Sequence, residues 1–203
     1  MTRIKKSTVV RTSSGRIITT CEFCSKLPWT IGATQQRCLC SGFNLDIGCG
    51  TKKQPGYVGM DKRDVQSVDI VWDIESVIDP PFYAKRLGAK SELWPFKDNT
   101  VDMLLVSHVL EHIKPWGMID IFNEMWRVVK PVSQVFIGVP HGLSSGQIQD
   151  PTHISPFNEA TFQYFVPEND VLYPIYQPKP WKIERMSSHP MYNMEVVLSP
   201  IKK

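Results

Sequence analysis

Three groups of residues have the types and spacings that chemistry needs. Asp150 and His153 stand three apart in QDPTHISPFNEATFQYF (Gln149 to Phe165), where a carboxylate can orient an imidazole acting as a general base. The same two residues can equally fix a loop by hydrogen bonds. His141 lies just upstream, in a stretch rich in Pro, Gly and Ser of the kind that carries active-site loops. The second group is FNLDIGCGTKKQPGYVGMDKRD (Phe43 to Asp64), where an apolar segment runs into Gly48-Cys49-Gly50. Glycines at such a turn let the chain reverse tightly and let a ligand approach the backbone. The third group is four cysteines, Cys21, Cys24, Cys38 and Cys40.

The ligand of the glycine turn can be narrowed by elimination. A dinucleotide fingerprint would place a further glycine where Lys53 stands, and an acid about twenty residues on. Here the acid is Asp61, much closer, at the end of the apolar segment Tyr57–Met60 and placed to accept from two ribose hydroxyls. No Gly-Lys-Ser/Thr follows the turn, which excludes a P-loop. Asp46, just before the glycines, would repel a pyrophosphate but suits ammonium and sulfonium groups. S-adenosylmethionine (SAM) carries both and has no phosphate.

The cysteines pair as Cys21-x2-Cys24 and Cys38-x-Cys40, two knuckles that can offer a structural zinc four thiolates. Free thiols are the alternative. The spacing resembles a zinc ribbon, although the second pair is one residue short of the ribbon's usual Cys-x-x-Cys. Cys49, inside the glycine turn, reads as a small packing residue.

These groups need a frame. Apolar runs at 43–47, 57–60, 68–72, 101–106 and 134–139 have the texture of buried parallel strands. A helix is expected over about Pro115 to Val129, with Met118, Phe122, Met125 and Val129 in helical register, Trp126 flanking them, and Pro131 disfavouring its continuation. A short helix near Asn158–Phe165 takes Asn158 as its N-cap and packs Phe162 and Phe165 inward. The segments 181–186 and 192–198 read as a closing antiparallel pair. Alternating strands and helices give a doubly wound α/β sheet with its ligand beyond the strand carboxyl ends.

The whole chain has 203 residues, 42% apolar and 21% charged, room for one domain with a substantial core. A net charge of +3 is too small to argue for nucleic acid. Arg3, Lys5, Lys6, Arg11 and Arg16 nevertheless make a basic arm of residues 1–20, either a solvated tail or a contact for phosphate. No segment reads as a membrane span and no apolar signal core opens the chain, so a cytoplasmic protein is expected. The organisation expected is therefore a basic arm (1–20), a Cys-rich element (21–41) and an α/β domain (42–203).

LDIGCGTKKQPGYVGMD (Leu45 to Asp61) resembles the first motif of class I SAM-dependent methyltransferases. LWPFKDNTVDMLLVSHVLEHI (Leu93 to Ile113) resembles the segment entering that family's fourth strand, and MWRVVKP (Met125 to Pro131) the helix end before its fifth. The run after Pro140 resembles a segment of small phage and bacterial methyltransferases. The resemblance implies a Rossmann-like, doubly wound seven-stranded sheet with SAM as cofactor. It places Gly48 and Gly50 against the cofactor, Asp46 toward its methionine portion and Asp61 at the ribose. Asp73 and Ile74 would meet the adenine, and Ser107 and His108 would border the bound cofactor. Glu111 and His112 would anchor the helix following the fourth strand.

Two departures stand out. Val132 and Ser133 follow Pro131 where the family has Gly-Gly, and an insertion runs from Ser76 to Leu93. Within it, Asp79-Pro80-Pro81-Phe82 copies the signature of enzymes that methylate a flipped DNA base. It follows the third strand rather than the fourth, where Ser107-His108-Val109 stands. A small-molecule or glycan hydroxyl is therefore the favoured acceptor. A nucleic-acid methyltransferase, or a nucleic-acid-binding module on a non-catalytic scaffold, is the alternative.

Overall fold

The computed structural model describes residues 42–80 and 90–202, together with the backbone of Thr8–Arg11 and Ile17–Thr20. Cys21, Cys24, Cys38 and Cys40 lie outside the described residues, as do Pro81 and Phe82. β1 (Thr8–Arg11) and β2 (Ile17–Thr20) pair antiparallel, so part of the expected basic arm is a hairpin.

The domain is built on a seven-stranded sheet in the order β5-β4-β3-β6-β7-β9-β8. Its strands are β3 (Phe43–Ile47), β4 (Val58–Asp61), β5 (Ile70–Val71), β6 (Val101–Ser107), β7 (Val129–Pro140), β8 (Trp181–Ser188) and β9 (Asn193–Pro200). β3 to β7 run parallel, whereas β9 is antiparallel to both β7 and β8. The chain moves one way from β3 through β4 to β5, then returns to the other side of β3 as β6. The carboxyl ends of β3 and β6 therefore flank the crevice where such sheets bind ligands.

Leu45, Ile47, Leu104, Val106, Val135, Ile137, Val139, Val196 and Leu198 alternate along four strands and are almost fully buried. α1 (Met118–Val128) adds Ile121, Phe122, Met125 and Val128 to the same core. α2 (Ser145–Gln149), α3 (Glu159–Gln163) and α4 (Tyr173–Tyr176) follow β7. The Asn158 side chain accepts from Thr161 N–H while Thr161 Oγ1 accepts from Asn158 N–H, closing a capping box that starts α3. Phe162 and Phe165 pack on Phe122, the latter stacked at 3.9 Å.

Three expectations are revised. The helix over 115–129 opens instead with a 3-10 turn, Pro115–Gly117, and ends at Val128, because Val129 is already extended. Pro131 consequently lies inside β7, and Ser133 replaces the missing glycines: its hydroxyl accepts from Lys130 N–H and donates to Val101 C=O. Between β3 and β4 (48–57) and between β4 and β5 (62–69) the chain makes turns and no helix. The first stretch holds Pro55 and Gly56 and no apolar stripe, so nothing in it would bury a helix face. Polar clasps hold these crossovers: Asp69 Oδ2 receives Lys53 Nζ at 2.6 Å and Gly59 N–H at 2.8 Å.

Candidate cofactor and acceptor site

Gly48 and Gly50 have φ of +64° and +51°, the left-handed region that a side chain disfavours. A Cβ on Gly48 would also lie 2.3 Å from Val109 Cγ2. The turn so formed aims Gly50 N–H at Asp61 Oδ2, 2.9 Å away. Asp61, nearly buried at the end of β4, also accepts from Arg63: from its backbone N–H at 2.9 Å, and from Nε and Nη2 at 3.1 Å each. Burial pushes the Asp61 carboxyl up, but the bonds from Arg63 and Gly50 outweigh it and hold the group below the usual carboxylate range. Asp46 behaves oppositely. Burial raises it, against the opposing pull of Gln54 N–H at 2.8 Å and the charge of Lys53.

Gly48, Asp61, Asp73, Ile74 and His108 line one cavity of about 410 Å³, together with Lys62, Arg63, Trp72, Glu75, Val109, His112, Ile113 and Thr152. Asp46, Gly50 and Ser107 are not among its lining residues. Asp73 does two things there: it borders the cavity, and its Oδ1 accepts from Glu75 N–H to cap the 3-10 turn Ile74–Val77. The insertion closes on itself at its base, with Ser76 C=O accepting from Glu92 N–H at 2.7 Å and Ser76 Oγ donating to Glu92 C=O at 2.9 Å. Asp79, at the head of the base-flipping signature, is not a lining residue; its N–H donates to Asp120 at the start of α1.

The segment after β6 and the segment after β7 are stitched together beside this cavity. Glu111 C=O accepts from Ile154 N–H and Ser155 N–H at 2.9 and 3.0 Å, and Ser155 Oγ donates to Ile113 C=O at 2.6 Å. Asp150 and His153 come together as their spacing implied, with Asp150 Oδ2 3.7 Å from His153 Nε2. His153 does not line the cavity, and its side chain is only 10% exposed. His112 does line it, and its ring meets His153 edge-on at 4.6 Å. Two contacts from Thr152 favour one tautomer of His112. Nδ1 lies 3.3 Å from the Thr152 carbonyl, which can only accept, and 2.9 Å from Thr152 Oγ1. In the neutral ring this places the proton on Nδ1 and leaves Nε2 unprotonated, while Thr152 Oγ1 donates to Asp150 Oδ1 at 2.7 Å. These two bonds from Thr152, first the hydroxyl and then the backbone N–H, hold the Asp150 carboxyl below the usual range.

His108, held at φ +54°, places Nδ1 3.2 Å from Glu111 Oε1. Glu111 is completely buried, and its other oxygen, Oε2, has no hydrogen-bond partner. His141 stands elsewhere, buried, with Nδ1 accepting from Leu143 N–H and Nε2 3.6 Å from Glu159. The sequence reads Glu111 and His112 as anchors of the helix after the fourth strand, where the structure has only the 3-10 turn Leu110–His112. The clue to them was Thr152, whose hydroxyl lies between Asp150 and His112; a separation of forty residues hid that contact.

A family model described as a methyltransferase domain matches residues 45–137. Among solved structures, a SAM-dependent methyltransferase from Archaeoglobus fulgidus is 16% identical, with a TM-score of 0.50 over 79% of this chain and 88% of that one. A protein from Pyrococcus horikoshii is 15% identical, with a TM-score of 0.50 over 78% of this chain and 82% of that one. At these identities the two structures show a shared fold and nothing finer. No curated protein matches the sequence. The match to a methyltransferase domain covers residues 45–137, a little under half of the chain, and the sheet order with the glycine turn ending on Asp61 gives the chain the fold of class I SAM-dependent methyltransferases.

Proposed function

We propose that the chain transfers a methyl group from SAM to a hydroxyl oxygen of a small-molecule or glycan acceptor. The observation that supports this reading is that one cavity is lined both by Gly48, Asp61, Asp73 and Ile74, which the resemblance assigns to the cofactor, and by His112. The residues present fit SAM. Asp61 and Asp73 offer carboxylate acceptors, Trp72, Ile74 and Val109 offer apolar surface, and the glycine turn brings backbone to the cavity edge. When bound, SAM supplies a methyl group made electrophilic by its sulfonium. The chain's own residues do the rest. Gly48 and Gly50 give close approach, Asp61 accepts from the ribose hydroxyls, and Asp73 and Ile74 face the adenine. Asp46 adds negative charge near the methionine portion, and Ser107 and His108 border it.

A hydroxyl must lose its proton as it attacks. The group that takes it is the cluster of His112, His153 and Asp150. His112 lines the cavity, Asp150 is joined to it through Thr152, and the same carboxylate lies beside His153. Cys21, Cys24, Cys38 and Cys40 belong to the proposal as a structural zinc site in a separate N-terminal element, supported by their paired spacing. A cytoplasmic enzyme fits the absence, among the described residues, of a helix long and apolar enough to cross a membrane.

Calorimetry with SAM and its demethylated product, followed by label transfer from SAM to hydroxyl acceptors and to RNA and DNA, tests the reading. Cofactor binding with label on a hydroxyl compound supports it. No binding at high micromolar SAM, or label found only on nucleic acid, overturns it. His153→Ala should lower turnover strongly while leaving cofactor affinity nearly intact.

A further inference from the structure

We propose that Glu111, His112 and His153 form a binding site for one divalent first-row metal ion, zinc or a close relative, at the acceptor end of the cavity. Four observations converge on it. One ligand atom from each of the three residues lies within 4.8 Å of the others, a spread that one ion can bridge. Glu111 is wholly buried, and its Oε2 has no partner, while Oε1 is 3.9 Å from His153 Nε2. A buried carboxylate oxygen without a donor is costly, and a cation is one of the few groups that removes the cost. The Nδ1 of His112 is taken up by Thr152, which is itself bonded to Asp150, so Nε2 is the ring nitrogen available to a metal. Finally, His112 is a wall of the cavity, so an ion there would have an open side.

The donor set decides the metal class. Two imidazoles and one carboxylate suit zinc, cobalt, iron or manganese better than magnesium, which prefers oxygen throughout. Three protein ligands and an open position make a catalytic rather than a structural arrangement.

The consequence for chemistry rests on the hydroxyl-acceptor reading; the binding of the ion does not. An acceptor hydroxyl reaching the open position loses its proton more readily, because the ion stabilises the oxygen's developing charge. The proton leaves to solvent water at the open side of the cavity. The oxygen forms the new bond to the methyl carbon, the carbon–sulfur bond breaks, and its electron pair stays on sulfur. The imidazoles then hold the ion rather than the proton.

The test uses the full chain, stripped with a chelator and titrated with Co²⁺, because cobalt reports its ligands by absorption. Cys21→Ser/Cys24→Ser protein serves as the background, so that thiolate binding cannot be mistaken for this site. One equivalent of Co²⁺ without thiolate charge-transfer absorption is expected, weakened at least tenfold in His112→Ala and in His153→Asn. Binding of the demethylated cofactor is read on every sample and shows that each variant is folded. No Co²⁺ binding by the background protein, or binding unchanged in both histidine variants, overturns the metal site. Absent cofactor binding with intact Co²⁺ binding would instead overturn the methyl-transfer reading alone.

Discussion

Val109 Cγ2 occupies the space that a side chain at Gly48 would need: a Cβ there would lie 2.3 Å from it. The glycine turn after β3 is thus packed under the Val109 side chain of the histidine-bearing segment after β6. Gly48→Ala should cost about 1–2 kcal/mol for its left-handed backbone alone, plus the clash. Val109→Ala in the same chain should recover the clash but not the backbone cost. Denaturant unfolding of the single and double variants separates the two.

Asp61 and Asp46 should leave opposite marks on the pH dependence. Asp61 is depressed in the fold, so its stabilisation is present above the unfolded value and lost as pH falls through the folded one, below about pH 4. Asp61→Asn should flatten that acid limb. Asp46 is raised, so its contribution is present below the unfolded value and lost as pH rises through the folded one. Asp46→Asn should therefore unfold no more easily than the parent at neutral pH, while binding SAM more weakly. Unfolding from pH 2 to 8, with calorimetry at pH 7, measures both.

Arg63 fills Asp61's acceptor positions while its own side chain is 61% exposed. If Asp61 accepts from the ribose hydroxyls as proposed, Arg63 has to swing aside. Arg63→Ala should bind SAM at least as tightly as the parent, and a weaker Kd would show that Arg63 holds the cofactor instead.

The Cys49 thiol should be inert. Burial first, then the neighbouring Asp46 and Asp61 charges, push it up to about 11. In a chain with Cys21, Cys24, Cys38 and Cys40 replaced by serine, iodoacetamide at pH 8 should label Cys49 only after unfolding, as read by mass spectrometry.

Phe122, fully buried and stacked on Phe165 at 3.9 Å, joins α1 to the segment after α3. Phe122→Ala should cost about 3–5 kcal/mol, measured by denaturant titration.

The strands were legible as apolar runs, and a seven-stranded doubly wound sheet followed once the glycine turn was matched to a family, though not its strand order. Asp61 was legible for the same reason, as a lone acid at a strand end. The helix-free crossovers were not, because family likeness supplies helices there and only Pro55, Gly56 and the missing apolar stripe argue otherwise. Ser133 read as a fault in a Gly-Gly turn, although its hydroxyl makes the bonds that turn needs. The histidine cluster was half legible. Asp150 and His153 are neighbours in sequence, but Glu111 and His112 join them only through the pairing of two distant loops, which no local spacing encodes.

The helix-free crossovers have a mechanical consequence. An arch of turns tied by Lys53, Asp69, Gln54 and Asp46 has little core of its own to resist opening. A ligand resting on Gly48 and Asp61 becomes its keystone. Amide exchange across 48–57 and 62–69 should then slow on loading far more than exchange in β6 or β7, because the ligand suppresses a local opening rather than global unfolding. The empty and loaded chains are then structures of different stiffness at one end of one sheet.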